Sequence, residues 1–256
     1  MIGVFDSGVG GLTVVKAIKE IKPSLPLIYF GDTARVPWGD KSPETIREYS
    51  HQICDFLISK KVDEIIIACN TASSVAGNYL REKFPDIKII DVVSPTISAI
   101  EKNKNVNKVA VIGTKAVIAS QFYDKKIKEA FSDIEVKSKA CPLFVSIVEE
   151  GWHEESFAEE VAEKYLKDIR DWKPDVLVLG CTHYPLLKKT IKKVIGGNVK
   201  VIDSASPVAD YIKNDNIIRL DDSVIDQFYF SDLSPHYQNL IEVILGSSID
   251  SKQLNL

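Results

Sequence analysis

Two stretches of the sequence, residues 65–71 and 176–183, constrain the fold most strongly because they share one layout. In each, an unbroken apolar run ends in a small residue and a cysteine, Cys69 or Cys181, and polar residues then open a helix-like segment. Such a run is typical of a strand buried on both faces of a parallel sheet. Each cysteine is therefore predicted between a strand and a helix amino end, where α/β sheets bind ligands and a helix dipole lowers the pKa of a thiol. The pair indicates one site with two thiols.

The composition is ordinary for a globular protein and favours no polyanionic partner. The 256 residues are 45% hydrophobic and 27% charged, with a net charge of −4, so we expect neither nucleic acid nor an anionic membrane as partner. The sequence opens in a predicted strand at residues 1–6 without signal-peptide features. No apolar run approaches the roughly 20 residues of a membrane span. We therefore expect a cytoplasmic protein.

The four cysteines and four histidines show no metal-binding spacing. In a reducing compartment the cysteines are expected as free thiols. There is no C-x-x-C, and the one close Cys/His pair, Cys181 and His183, lacks a second ligand pair at zinc-finger spacing. Cys54 falls within a helical pattern and Cys141 precedes a proline, so we interpret both as buried structural residues. No metal is expected.

Strand and helix patterns alternate along the chain, and the pattern restarts in the middle. The opening segment at 2–7 is echoed at 108–114; its last residue lies 62 positions before Cys69, and the last residue of the echo lies 67 before Cys181. The alternation predicts an α/β fold with mainly parallel sheets. The echo predicts two such domains related by a pseudo-two-fold axis, with the active site at their interface.

The last predicted elements, a strand at 228–230 and a helix around 237–244, have no partners of their own. We expect them to pack on the first half. The first domain is then discontinuous, residues 1–93 plus 206–256, and the second spans 94–205.

Two helix boundaries follow from local signals. The helix after Thr114 is expected to run unbroken to about Phe131. Ser94, directly before Pro95, is expected to cap the fourth helix, because serine is a favoured N-cap and proline a favoured first helical residue.

Two further features leave alternatives open. The glycine turn at 8–11 resembles a dinucleotide fingerprint but has Thr13 where the third glycine belongs, so it is either a helix-entry turn or a ligand loop. Trp38 lies in a long loop at 31–40. It is either a lid over a pocket or an aromatic plug.

Two thiols facing each other across a pocket suit proton transfer at a carbon acid. One thiolate removes a proton from one face, and the other thiol returns a proton to the opposite face. Asp6, Glu149 and His183 are candidates to tune the thiols. Further donors and acceptors for carboxylate and ammonium groups are expected from polar residues at strand ends: Ser7, Asn70, Thr71, Thr114 and Thr182.

Four segments carry a resemblance to a known family: residues 6–12 (DSGVGGL), 31–37 (GDTARVP), 68–73 (ACNTAS) and 179–186 (LGCTHYPL). They resemble segments of the glutamate racemases, enzymes that make D-glutamate for bacterial peptidoglycan, and the similarity covers nearly the whole chain. The resemblance implies two flavodoxin-like α/β domains, no cofactor, glutamate as the small-molecule substrate, and a homodimer.

The resemblance also implies residue roles. Cys69 matches the residue that takes the proton from D-glutamate, and Cys181 matches the residue that acts on L-glutamate. Asp6, Glu149 and His183 match residues that tune the thiols. The expected substrate contacts are Asp6, Ser7, Trp38, Gly39, Asn70, Thr71, Thr114, Thr182 and His183.

Three positions depart from the family pattern. Trp38 stands where tyrosine is usual, Val117 where threonine is common, and Ser146 where proline is usual. The valine is expected to cost the site one hydroxyl that could contact the substrate.

Three alternatives remain. Another member of the superfamily, such as an aspartate racemase or an arylmalonate-type decarboxylase, would share the cysteine-centred chemistry. A nucleotide-binding module would use the turn at 8–11. A redox protein would need Cys69 and Cys181 with Cα atoms within about 7 Å of each other.

Overall fold

The computed structural model describes residues 1–214 and 225–256, in which strands and helices alternate. The strands are β1 (Ile2–Asp6), β2 (Leu27–Gly31), β3 (Glu64–Ile67), β4 (Lys88–Asp91), β5 (Lys108–Gly113), β6 (Glu135–Ala140), β7 (Val176–Gly180), β8 (Lys200–Ile202), β9 (Gln227–Phe230) and β10 (Ser251–Gln253). The helices are α1 (Leu12–Ile21), α2 (Pro43–Ser59), α3 (Asn70–Lys83), α4 (Val93–Glu101), α5 (Lys115–Ser120), α6 (Phe122–Ala130), α7 (Leu143–Glu149), α8 (Ser156–Trp172), α9 (Lys188–Ile195), α10 (Ala205–Asn214) and α11 (Pro235–Leu245).

The strands form two sheets in which every described pairing is parallel. The first sheet has the order β10-β9-β2-β1-β3-β4, and the second has the order β6-β5-β7-β8. Without β9 and β10, both sheets arrange their four strands as second, first, third and fourth, which is the flavodoxin-like order. Cys69 and Cys181 each follow the third strand of their sheet. The prediction of two flavodoxin-like α/β domains with mainly parallel sheets is confirmed.

The central strands are apolar because helices cover both faces of each sheet. Every residue of β1, β3 and β7 is buried. Successive side chains point to opposite faces: Val4 and Phe5 of β1 pack into different apolar clusters, as do Leu177 and Val178 of β7. No helix among the described residues has the length and apolar character needed to cross a bilayer.

The carboxyl-terminal segment packs on the first domain, as predicted. β9 pairs with β2, and β10 pairs with β9. The short polar strand β10 was not predicted, since its sequence lacks an apolar pattern. The domain boundaries, 1–93 plus 206–256 and 94–205, stay a prediction, and residues 215–224 lie outside the described residues.

The helix predicted from Thr114 to about Phe131 is in fact two helices, so that prediction is wrong. α5 ends at Ser120, Gln121 is left-handed with φ 54°, and α6 then begins. The Ser120 hydroxyl donates to the carbonyl of Val117 at 2.7 Å and accepts from the N–H of Phe122 at 3.2 Å. Such local side-chain bonds compete with helix continuation.

Asp91, not Ser94, caps α4, so the predicted cap is also wrong. The Asp91 carboxylate accepts from the N–H groups of Val93 at 2.8 Å and Ser94 at 2.7 Å. An aspartate accepts more strongly than a hydroxyl because it is charged. The second domain repeats the arrangement, where Asp203 accepts from the first N–H groups of α10.

Candidate active site

A cavity of about 280 Å³ lies between the two domains, beside the carboxyl ends of β1, β3, β5 and β7. Its size is near the lower end of small-molecule sites, which favours a compact ligand over a dinucleotide. All predicted site residues except Asp6 line it. The lining comprises Ser7, Val36, Pro37, Trp38, Gly39, Asp40, Cys69, Asn70, Thr71, Thr114, Lys115, Pro142, Leu143, Val145, Ser146, Glu149, Cys181, Thr182 and His183.

Cys69 is the N-cap of α3. Its Sγ accepts from the N–H of Ala72 at 3.4 Å, and its thiol donates to Oγ of Ser7 at 3.5 Å. Burial raises the pKa of Cys69 to about 12, and the charge of Asp6 adds to the rise. The predicted lowering of this pKa by the helix dipole is therefore wrong, because burial outweighs it. The Cys69 thiol is held protonated.

Cys181 belongs to a chain of three polar side chains. Its Sγ lies 3.8 Å from Nδ1 of His183, and Nε2 of His183 lies 3.2 Å from Oε1 of Glu149 at the end of α7. Burial lowers the pKa of His183, but hydrogen bonds and charge interactions with Cys181 and Glu149 outweigh burial and raise this pKa well above its ordinary value. The imidazole can therefore hold a proton that the thiol gives up.

The surroundings of Cys181 differ from those of Cys69. Residues 182–183 lead into a short 3₁₀ turn, Tyr184–Leu187, before α9 begins. The sequence pattern suggested that Cys181 caps an α-helix, but the structure shows that it does not. The polar group beside its Sγ is a side chain, the imidazole of His183 at 3.8 Å, rather than the N–H groups of a helix amino end.

Asp6 connects the first strand to the second cysteine motif from behind the cavity wall. This fully buried carboxylate accepts from the N–H of Gly8 at 3.1 Å and from Oγ1 of Thr182 at 3.3 Å. Burial raises the pKa of Asp6, while the charge of His183 and the hydrogen bonds oppose the rise. A raised pKa suits a group that exchanges protons with its neighbours.

The glycine turn at 8–11 packs against the second domain. A Cβ on Gly10 would lie 2.5 Å from Oγ1 of Thr182 and 2.7 Å from Nδ1 of His183, and one on Gly11 would lie 2.4 Å from Cβ of Asp6. These glycines allow close approach of protein to protein. The structure therefore favours the helix-entry turn over the ligand loop.

Three side-chain contacts join the domains around Cys69. Thr71 and Thr114 share a hydrogen bond between their Oγ1 atoms at 3.0 Å. The Asn70 amide donates to Oγ of Ser204 at 3.0 Å and accepts from the Tyr123 hydroxyl at 2.6 Å. The amide of Asn70 therefore fixes the start of α3 against the second domain.

Trp38 is a plug rather than a lid. Its side chain is 1% exposed, and its indole N–H donates to Oδ2 of Asp32 at 3.2 Å. The same carboxylate accepts from Nε of Arg35 at 2.6 Å and from Oγ of Ser231 at 2.8 Å. One buried carboxylate thus fixes the loop that forms this wall of the cavity.

The other two departures from the family pattern have different settings. Val117 is buried in the apolar cluster beneath the second sheet and does not line the cavity. The expected loss of a substrate-contacting hydroxyl at Val117 is therefore not supported. Ser146 does line the cavity, on α7.

The sequence model of the Asp/Glu/hydantoin racemase family matches residues 10–211. The chain belongs to this family. A glutamate racemase of Aquifex aeolicus is 44% identical over 255 residues, 98% of this chain and 96% of the relative. The glutamate racemase of Francisella tularensis, solved with D-glutamate, superposes with a TM-score of 0.90 at 37% identity, covering 99% of this chain and 97% of that one. A glutamate racemase isoform from Bacillus anthracis superposes with a TM-score of 0.93 at 32% identity, covering 100% of this chain and 97% of that one.

As a member of this family the chain is an amino-acid racemase, an isomerase that works without pyridoxal phosphate. Sequence reasoning missed several residues of the racemase cavity. Lys115 and Asp40, from opposite domains, carry its unpredicted charges, and Pro142, Leu143 and Val145 add an apolar wall. A charge next to the Gly-Thr strand end was the available signal for Lys115.

The remaining cysteines of this racemase are structural. All four cysteines are free and buried. Cys54 and Cys141 pack into apolar clusters of the first and second domain, and burial raises the pKa of each thiol. The described residues contain no group of three or more Cys, His, Asp or Glu side chains arranged for a metal ion.

Proposed function

We propose that this racemase interconverts L-glutamate and D-glutamate by two-base proton transfer at Cα. In the L-to-D direction the thiolate of Cys181 takes the Cα proton from one face. The thiol of Cys69 then gives its proton to the opposite face of the carbanion, and the C–H bond reforms with inverted configuration. In the reverse direction the two cysteines exchange roles.

The observation that carries this proposal is that Cys69 and Cys181, from equivalent positions in two domains, line one small cavity. A two-base reaction needs its two groups in opposite protonation states. The raised pKa of Cys69 keeps its thiol protonated, while the raised pKa of His183 lets the imidazole hold the proton of Cys181. The resting site is thus prepared for L-glutamate.

The reverse direction requires Cys69 to lose its proton. Asp6 is the candidate acceptor, because burial raises the pKa of this carboxyl and because its charge acts on Cys69. Asp6, Glu149 and His183 are therefore proposed to tune the two thiols rather than to attack the substrate.

Substrate binding is proposed for polar groups on the cavity wall. Hydroxyl and N–H groups at strand and helix ends can donate to the two carboxylates of glutamate. The proposed contacts are Ser7, Trp38, Gly39, Asn70, Thr71, Thr114, Thr182 and His183, with Asp6 acting from behind the wall. The relative from F. tularensis was solved with D-glutamate, which supports glutamate as the substrate here.

We further propose that the product supplies peptidoglycan synthesis, that the enzyme acts in the cytoplasm, and that it is a homodimer. The first of these proposals rests on the resemblance to glutamate racemases. Size-exclusion chromatography with light scattering tests the third.

The activity is tested by incubating purified protein with L-glutamate, without pyridoxal phosphate, and following the circular dichroism. We expect the signal to decay to zero. A constant signal would overturn the proposal, and decay with L-aspartate instead would favour the aspartate racemase alternative.

Cysteine variants test the two-base mechanism. We expect Cys69→Ser and Cys181→Ser each to lose turnover in both directions, whereas Cys54→Ser remains active. In deuterated water, Cys69→Ser should still exchange the α-proton of L-glutamate, and Cys181→Ser that of D-glutamate. Normal racemisation by either active-site variant would show that one cysteine suffices.

A further inference from the structure

Two consecutive residues of the first domain meet two of the second at one edge of the cavity. A Cβ on Gly39 would lie 2.6 Å from Cβ of Thr114, so the backbone of Gly39 packs directly against the Thr114 side chain. In the next pair, Oδ1 of Asp40 lies 3.1 Å from Nζ of Lys115. We name this contact, residues 39–40 against 114–115, the junction.

The junction separates two cavities. Gly39, Asp40 and Lys115 line the substrate cavity and also line a neighbouring cavity of about 600 Å³ between α2, α3 and α5. The side chains of Asp40 and Lys115 are 50% and 63% exposed. The wall between the two cavities therefore contains an ion pair in contact with solvent, and such a pair is weak enough to exchange partners.

The charges on the cavity wall make Lys115 distinctive. Among the described residues that line the substrate cavity, Lys115 is the one lysine or arginine, while Asp40 and Glu149 are carboxylates. Glutamate carries two carboxylates and one ammonium group. A dicarboxylate approaching the cavity is thus repelled by Asp40 and attracted by Lys115.

We propose that Lys115 determines specificity for the dicarboxylate by exchanging Asp40 for a carboxylate of the substrate bound at the junction. The inference rests on the proposed glutamate racemase function. Asp40 then competes with the substrate for the same ammonium group. Lys115 takes no part in proton transfer, so its effect is on KM.

Because Asp40 and the substrate compete for Lys115, removing the charge of Lys115 and removing the charge of Asp40 should change KM in opposite directions. Lys115→Met should raise KM for both enantiomers about three- to fivefold, the size of an exposed ion-pair effect, and change kcat less than about twofold. Asp40→Asn should lower KM, since Lys115 is then unpaired. If the ion pair merely held the domains together, both variants would shift KM in the same direction.

The experiment measures kcat and KM for L- and D-glutamate in wild type, Lys115→Met, Lys115→Arg, Asp40→Asn and Lys41→Met. Lys41 lines only the neighbouring cavity and serves as the matched control with unchanged KM. Lys115→Arg keeps the charge and should restore KM. The kcat/KM of wild type should fall with added salt more steeply than that of Lys115→Met, because salt screens the attraction.

A rise of KM in both Lys115→Met and Asp40→Asn, or no change in either, would overturn the inference. Equal effects of Lys115→Met and Lys41→Met would do so too. Failure of the proposed function is separate and would be seen first, since wild type would then not racemise glutamate at all.

Discussion

Gly10 and His183 lie so close that a methyl group does not fit between them: a Cβ on Gly10 would be 2.7 Å from Nδ1 of the imidazole. The turn after β1 therefore packs against His183, the side chain of the other domain that contacts Cys181. Through this contact, the geometry of the proposed proton acceptor depends on how the two domains pack.

Gly10→Ala is expected to damage activity and stability together. The new methyl group forces Thr182 and His183 out of position, and a misplacement of this kind can cost about 100-fold in rate. Overpacking should also lower the free energy of unfolding by about 1–3 kcal/mol. Racemisation kinetics and urea unfolding measure the two effects.

Gly197→Ala is the matched control, because a Cβ at that position meets nothing within 4 Å. We expect it to leave turnover unchanged. If Gly10→Ala retained full turnover, the close packing of the turn against His183 would not matter for catalysis.

The sequence was sufficient to predict the buried strands and the cysteine positions. Their signals are local: an apolar run fixes a buried strand, and parallel strands bring their carboxyl ends to one edge. The sequence therefore predicted that Cys69 and Cys181 follow equivalent strands, but it did not predict the distance between them.

The electrostatics of the site were not predictable in the same way. The pKa of Cys69 depends on burial by residues distant in sequence, and the local helix signal gave the wrong direction. Lys115 and Asp40 were missed because their pairing requires the docking of two domains. The helix break at Gln121 was missed because a residue other than glycine in the left-handed conformation leaves little signal in the sequence.

Glu149→Gln is expected to change the pH dependence of racemisation. Glu149 helps to raise the pKa of His183, so its removal lowers that pKa. Activity that needs the imidazolium is present below the His183 pKa and lost above it. The upper limb of the kcat/KM profile for L-glutamate should therefore move to lower pH. The loss at neutral pH should stay below about 100-fold, the lower end of the range for losing an acid–base group.

The control for this variant is Glu150→Gln, which removes the adjacent exposed carboxylate. Its pH profile should coincide with that of wild type. An unmoved upper limb in Glu149→Gln would contradict the assigned role of Glu149.

Trp38→Phe is expected to affect substrate binding more than chemistry. The change removes the indole N–H that donates to Asp32 and puts a smaller ring in the cavity wall. Arg35 and Ser231 still donate to the Asp32 carboxylate. We expect a loss of about 1–3 kcal/mol in the free energy of unfolding and a raised KM with kcat nearly constant. Trp172→Phe, outside the cavity, should leave KM unchanged; a fall in kcat alone for Trp38→Phe would argue against a binding role.

Asp203→Asn is expected to destabilise the protein in a pH-dependent way. Asp203 is buried, and although burial alone would raise its pKa, bonds from Lys188 and the start of α10 outweigh burial and lower that pKa. A lowered folded-state pKa means that the carboxylate stabilises the fold above its unfolded-state pKa, and that this stability is lost as pH falls through the folded-state value. At pH 7 the variant should lose about 2 kcal/mol in the free energy of unfolding.

The same comparison at acid pH supplies the decisive measurement for Asp203. Wild type itself loses the charged interaction as the carboxyl takes up a proton, so the two unfolding curves should converge as the pH is lowered. Asp210→Asn, which changes an exposed carboxylate on the same helix, should match wild type throughout. A difference between wild type and Asp203→Asn that stayed constant with pH would show that Asp203 stabilises α10 by shape and neutral hydrogen bonding rather than by its charge.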